Sequence, residues 1–193
     1  MGGKQKRIAE AISMALNAFF IAFCAFAVLI AFKSPSSPLS FLVISAVFGS
    51  IVPIAIIVYM ARKGVISDIY ASERRTRTKP FIGALASYSV GIVALLFFGA
   101  PQDLVALMTC YLVNSLVMMT ISQVWKISIH ASGITGAATF LVHQLGAVML
   151  PFFFLVFPVA WARIKLEAHN LYQVTAGALL AIALTLVQLK LYL

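Results

Sequence analysis

Hydrophobic residues run along this chain in long blocks separated by short polar islands. The first block, 11–32, is 22 residues. About 20 apolar residues span a bilayer as a helix. "KSPSSP" (33–38) interrupts it as a turn, and a second block covers about 39–61. The longest polar stretch, "RKGVISDIYASERRTRTKP" (62–80), comes next. A third block at about 81–99 ends in "GAPQD", and a fourth covers about 103–122. A second polar patch, "QVWKISIHASG", occupies 123–133, and the last block runs over about 173–192.

The stretch 134–162 has two readings. As one helix it is long and tilted. However, "HQLG" (143–146) and Pro151 lie in its middle, and such residues break helices. The preferred reading is two short helices at about 134–146 and 149–162, each rising roughly 20 Å at 1.5 Å per residue. The island "WARIKLEAHNLYQ" follows. The expected fold is therefore all-α. It is a polytopic membrane helix bundle of six to seven spans, with residues 1–193 as a single transmembrane domain.

Composition agrees with this pattern. Charged residues make up 10% of the chain, against about 25% in soluble domains. The mean hydropathy is +1.05. A basic start followed by an apolar run also fits a secretory leader. A cleaved apolar core is about 7–15 residues, so the run at 11–32 predicts a retained span. Cys24 and Cys110 both lie inside apolar blocks and read as packing residues.

Charge orders the loops. With seven crossings, the N-terminus and the loops 62–80, 123–133 and 163–172 share one face. Of the 14 basic residues, 12 then lie there, all but Lys33 and Lys190. A single crossing at 134–162 moves Arg163 and Lys165 to the other face. The positive-inside rule makes the charged face cytoplasmic. Trp125 and Trp161 fall at span ends on that face, as in an interfacial aromatic belt.

Three polar patches converge on this face: the Arg cluster at 74–79, His130 with Ser132 and Gly133, and Arg163 with His169. Guanidinium groups match phosphate oxygens with a planar fork of donors. A Ser-Gly pair opening a helix offers backbone N–H groups to an anion. One His can attack phosphorus while another protonates the leaving oxygen. The expected phosphate-binding residues are Arg74, Arg75, Arg77, Lys79, Lys126, Ser132, Gly133 and Arg163. His143, beside Gln144, is read as a helix-to-helix hydrogen-bonding group.

The spacing Arg163, five residues, His169, three residues, Gln173 resembles the third motif of the type-2 phosphatidic acid phosphatase family of integral-membrane lipid phosphatases. That motif reads Arg, five residues, His, three residues, Asp. "VTAGALLA" (174–181) looks like the family's final small-residue helix. "SIHASG" (128–133) loosely resembles the second motif, Pro-Ser-Gly-His. Lys79-Pro80 occupies the Arg-Pro position of the first motif. The resemblance covers about 62–185. It implies that His169 is the nucleophile, that Arg163 binds the phosphoryl group and that His130 is the leaving-group acid. It also implies that Gln173 orients His169, and that no metal or other cofactor is needed.

Gln173 stands where the family has Asp. A Gln carbonyl can fix the His tautomer but supplies no negative charge. Glu167 and Asp68 are the candidates for a replacement carboxylate. The expected activity is hydrolysis of an isoprenoid or diacyl lipid phosphate or diphosphate through a phosphohistidine. The expected partners are that substrate and membrane lipids, with no nucleic acid. The competing expectation is a non-enzymatic protein that binds or transports an anionic lipid. A metal-dependent prenyltransferase is disfavoured, because Asp68 and Asp103 are the chain's two aspartates.

Overall fold

The computed structural model describes residues 3–66, 76 and 78–192. Among the described residues there are eight helices: α1 (Gly3–Ala15), α2 (Ala18–Lys33), α3 (Pro38–Arg62), α4 (Thr78–Phe97), α5 (Gln102–Val124), α6 (Ile129–Leu145), α7 (Ala147–Lys165) and α8 (Leu171–Tyr192). No strand occurs among the described residues. Five helices are long and apolar enough to cross a membrane, and the bent pair α1–α2 brings the number to six. The chain is a multi-pass, all-helical membrane bundle.

The first block is not one straight span. Asn17 ends α1 and caps α2, its side chain accepting from the amides of Phe19 and Phe20. An Asn side chain competes for backbone donors in this way, so it favours a cap over a helix interior. The two helices bend by 45° there, and α1 packs beside α7.

α3 carries a π-helical segment, Val47–Ile51. Pro53 follows it and has no N–H to offer the preceding turn, which favours such a local widening. Two hydroxyls hold the widened turn: Ser50 Oγ donates to the Phe19 carbonyl and Ser87 Oγ to the Phe48 carbonyl, both at 2.7 Å.

The pair of helices expected within 134–162 is present, and the break falls at Gly146 (φ +85°). Both run longer than the sequence suggested. α6 starts at Ile129 because Ser128 caps it. α7 absorbs Pro151 in a 3-10 stretch, Ala147–Leu155, before turning α-helical. At about 2.0 and 1.5 Å per residue, α7 rises roughly 33 Å, so it crosses the bilayer instead of stopping inside it. His143 is a further correction. It sits exposed in the last turn of α6, 3.4 Å from its neighbour Gln144, and does not bridge helices through that contact.

α6 is the central helix, packed against α2, α5, α7 and α8. Its small residues let backbones approach closely. A Cβ on Gly133 would lie 2.8 Å from Ala18 Cβ, and one on Gly136 would lie 3.2 Å from Asn114 Nδ2.

The two ends of the bundle are distinct. At one end the Ser128 amide donates to the Gln173 carbonyl at 3.2 Å. The start of α6 therefore touches the start of α8, and α6 with α7 forms a hairpin and not a single crossing. At the other end Lys33 pairs with Asp103 at 3.6 Å, and Gln102 donates to the Tyr192 carbonyl.

Candidate functional site: a cavity under the basic end

A cavity of about 360 Å³ opens between α1, α2, α3, α4, α5 and α6, beneath the turn from α7 to α8. His130, Ser132, Gly133, Arg163 and His169 all line it. Sequence reading had placed these five residues in two separate patches. Among the described lining residues there is no Asp or Glu. Much of the remaining wall is apolar, including Phe19, Ile54, Ile57, Phe81, Leu107 and Met118.

The Arg-x5-His spacing has a simple local cause. α7 ends at Lys165, and Glu167 takes a left-handed conformation (φ 54°). The chain then folds back, so that the Ala168 and His169 amides both donate to the Arg163 carbonyl, at 3.0 and 3.2 Å. A left-handed residue just past a helix end is the usual way to satisfy the last carbonyls. Here the same turn brings His169 next to the Arg163 backbone.

Arg163 is 2% exposed, and its Nη1 donates to Ser13 Oγ at 2.9 Å. Burying a charge is costly unless polar partners receive it. α1 thus contributes directly to the site through Ser13, which sequence reading missed.

His169 is 7% exposed, and its Nδ1 lies 3.2 Å from Gln173 Oε1. Gln173 has a second role. Its amide donates to Asn170 Oδ1 at 2.9 Å, while its Oε1 accepts from the Asn170 amide at 3.3 Å. This is a reciprocal capping box at the start of α8. The Asn170 N–H identifies the Gln173 atom as oxygen, so the amide cannot be flipped without losing that bond. An oxygen facing Nδ1 requires Nδ1 to carry the hydrogen. In neutral His169 the lone pair therefore sits on Nε2, the form of imidazole that attacks an electrophile or accepts a proton.

His130, Ser132 and Gly133 are not in a loop. They occupy the first turns of α6, after the Ser128 cap. The Ser132 amide donates to the Ser128 carbonyl at 3.2 Å. Gly133 is interior to the helix, where amides bond to the preceding turn. The expectation that these two amides cradle an anion is therefore corrected. Ser132 offers its side chain to the cavity, and Gly133 provides clearance for α2.

Other expected residues do not join this cavity. Lys79 is exposed and lines a separate apolar groove with Val52, Ile56 and Tyr59, while its neighbour Pro80 faces the cavity. Successive helical residues point about 100° apart, and here that step turns Lys79 to the groove and Pro80 to the cavity. Lys126 is half-buried in the α5–α6 connection and does not line the cavity. Glu167 is exposed on its turn and does not line it either. Arg74, Arg75 and Arg77, with Asp68, lie outside the described residues.

Asn17, Asn114, Ser115 and Tyr88 also line the cavity and were not singled out from sequence. Each is a polar or amphipathic residue inside an apolar block, which is the signal that could have found them. The chain matches no known family profile, no curated protein and no solved structure at a significant level.

Proposed function

We propose that the protein is a membrane-embedded lipid phosphate phosphatase or diphosphatase. One observation carries this reading: His169, with Nδ1 held by Gln173, lies beside buried Arg163 at a cavity whose wall is mostly apolar. The phosphate head sits at Arg163, and the apolar body of the substrate extends between the helices. His169 Nε2 attacks phosphorus, the bond to the lipid oxygen breaks, and His130 gives that oxygen a proton. Water, deprotonated by His130, then attacks the phosphohistidine and releases inorganic phosphate. The family resemblance supports the same roles. No metal or other cofactor enters the scheme. The charge asymmetry supports a cytoplasmic site.

The test is phosphate release from prenyl and diacyl phosphates, with and without EDTA, for wild type and His169→Ala. Release that disappears in His169→Ala and survives EDTA is expected. Equal release from the two proteins overturns the nucleophile.

A second reading is a protein that binds an anionic lipid without cleaving it. Gln173 favours this one: it completes the α8 cap and brings no charge to His169. Lipid phosphate binding without release of phosphate decides for it. Labelling of Asn170→Cys against Ser36→Cys, in a protein lacking Cys24 and Cys110, tests the sidedness.

A further inference from the structure

Below the histidines, the cavity meets a polar layer. Asn114 lines it from α5. Asn114 Nδ2 donates to Thr185 Oγ1 at 3.0 Å, and Asn114 Oδ1 accepts from Gln188 Nε2 at 2.9 Å. Thr185 and Gln188 are buried behind it on α8. A primary amide has two donor hydrogens and an oxygen with two lone pairs. Those two bonds therefore orient Asn114 and leave one donor and one acceptor position beyond them. Ser115 and Tyr88 line the cavity beside it.

The depth of this layer follows from the helices. From His130 to Gly136, which faces Asn114, is six residues, or about 9 Å. From Phe81 to Tyr88 is seven residues, or about 10 Å. Apolar wall resumes below, at Leu107 and Cys110.

Helix-to-helix bonding alone explains this layer poorly. Gln188 Oε1 is buried with no hydrogen-bond partner among the described residues. A partly satisfied polar network is costlier in a core than apolar packing. This one also ends on a cavity wall, where its foremost residue is held from behind in the manner of a supported binding group.

We propose that Asn114 and Ser115 form a second polar subsite. It takes a hydroxyl or carbonyl oxygen carried on the ligand's apolar body, about 10 Å from the phosphate. This rests on the reading that the phosphate sits at Arg163. The preferred substrate is then an oxygenated lipid phosphate and not a plain hydrocarbon one.

The test uses the full-length protein in nanodiscs, with dodecyl phosphate and its derivatives carrying one hydroxyl at successive chain carbons. Phosphate release and the ligand-induced rise in melting temperature are both read, and the second needs no turnover. A preference that peaks for the hydroxyl about 10 Å from phosphorus is expected, about tenfold over dodecyl phosphate, as one hydrogen bond in an apolar site supplies. Asn114→Leu flattens the peak. It also strands Thr185 and Gln188, so the triple variant Asn114→Leu/Thr185→Val/Gln188→Leu removes the whole network and flattens the peak equally. Ser115→Ala, which leaves the network intact, lowers it.

A wild-type profile with no dependence on hydroxyl position overturns the subsite. So does a peak that survives in the Asn114 variants. A peaked melting profile without phosphate release keeps the subsite and overturns hydrolysis instead.

Discussion

His169 Nδ1 and Gln173 Oε1 lie 3.2 Å apart, across one turn at the start of α8. The Asn170 amide donates to the same oxygen at 3.3 Å, so that oxygen serves two donors. Its position is set by backbone capping before any chemistry takes place. A replacement that adds charge must keep the length of this side chain. Gln173→Glu does so, and its carboxylate accepts both bonds and stabilises an imidazolium. Under the proposed mechanism, Gln173→Glu raises kcat for phosphate release. Gln173→Asp adds the same charge on a side chain one methylene shorter and gains less. The check is kcat for the two variants on one lipid phosphate, and a Glu variant slower than wild type removes the orienting role.

Arg163 depends on a residue 150 positions away. Ser13 Oγ accepts from its Nη1 at 2.9 Å inside the protein. A hydrogen bond to a charged group is worth about 1.5–3 kcal/mol. Ser13→Ala should therefore loosen the guanidinium and raise KM about tenfold, with a smaller change in kcat. Ser13→Thr keeps the hydroxyl and should restore most of the loss. Steady-state phosphate release across substrate concentration separates the two parameters. An unchanged KM in Ser13→Ala would mean that Arg163 is held well enough without α1.

The helical blocks were legible because apolar runs of membrane length have few alternatives. The break between α6 and α7 was legible from "HQLG", since Gly146 takes the left-handed turn that the motif permits. The convergence of His130, Arg163 and His169 followed from putting both loops on one face. Other features depend on rotation about helix axes, which block patterns do not encode. Lys79 and Pro80 are neighbours in sequence yet face different cavities. Asn17 is a polar residue inside the first apolar block, and its side chain caps α2 and redirects α1 toward Arg163. Asn114, Thr185 and Gln188 lie on two distant blocks, and only packing joins them. The capping box of Asn170 and Gln173 had the right spacing to be read directly.

The contact between the two halves of the site is tight at Gly177. A Cβ there would come within 2.6 Å of the Ser128 carbonyl oxygen, which is backbone and cannot swing aside. Gly177→Ala must push the α5–α6 connection away from α8 and stretch the bond from the Ser128 amide to the Gln173 carbonyl. Overpacking of this kind costs about 1–3 kcal/mol. The variant is expected to melt lower and to release phosphate more slowly, because His130 moves away from His169. Gly3→Ala, whose Cβ would meet nothing within 4 Å, serves as the control. Equal melting temperatures for the two variants would mean that the connection yields freely.

Glu167 separates a structural role from a chemical one. Its φ of 54° is left-handed, a conformation that costs an ordinary residue roughly 1 kcal/mol and costs glycine little. Its turn carries the amides that close on the Arg163 carbonyl. Glu167→Gly keeps that turn and removes the strain, so the protein should gain about 1 kcal/mol, partly offset by the freedom glycine adds to the unfolded chain. The expected rise in melting temperature is about 2–4 °C. Phosphate release should hold, since the Glu167 side chain is exposed and does not line the cavity. Loss of release together with a higher melting temperature would make Glu167 the carboxylate that Gln173 does not provide.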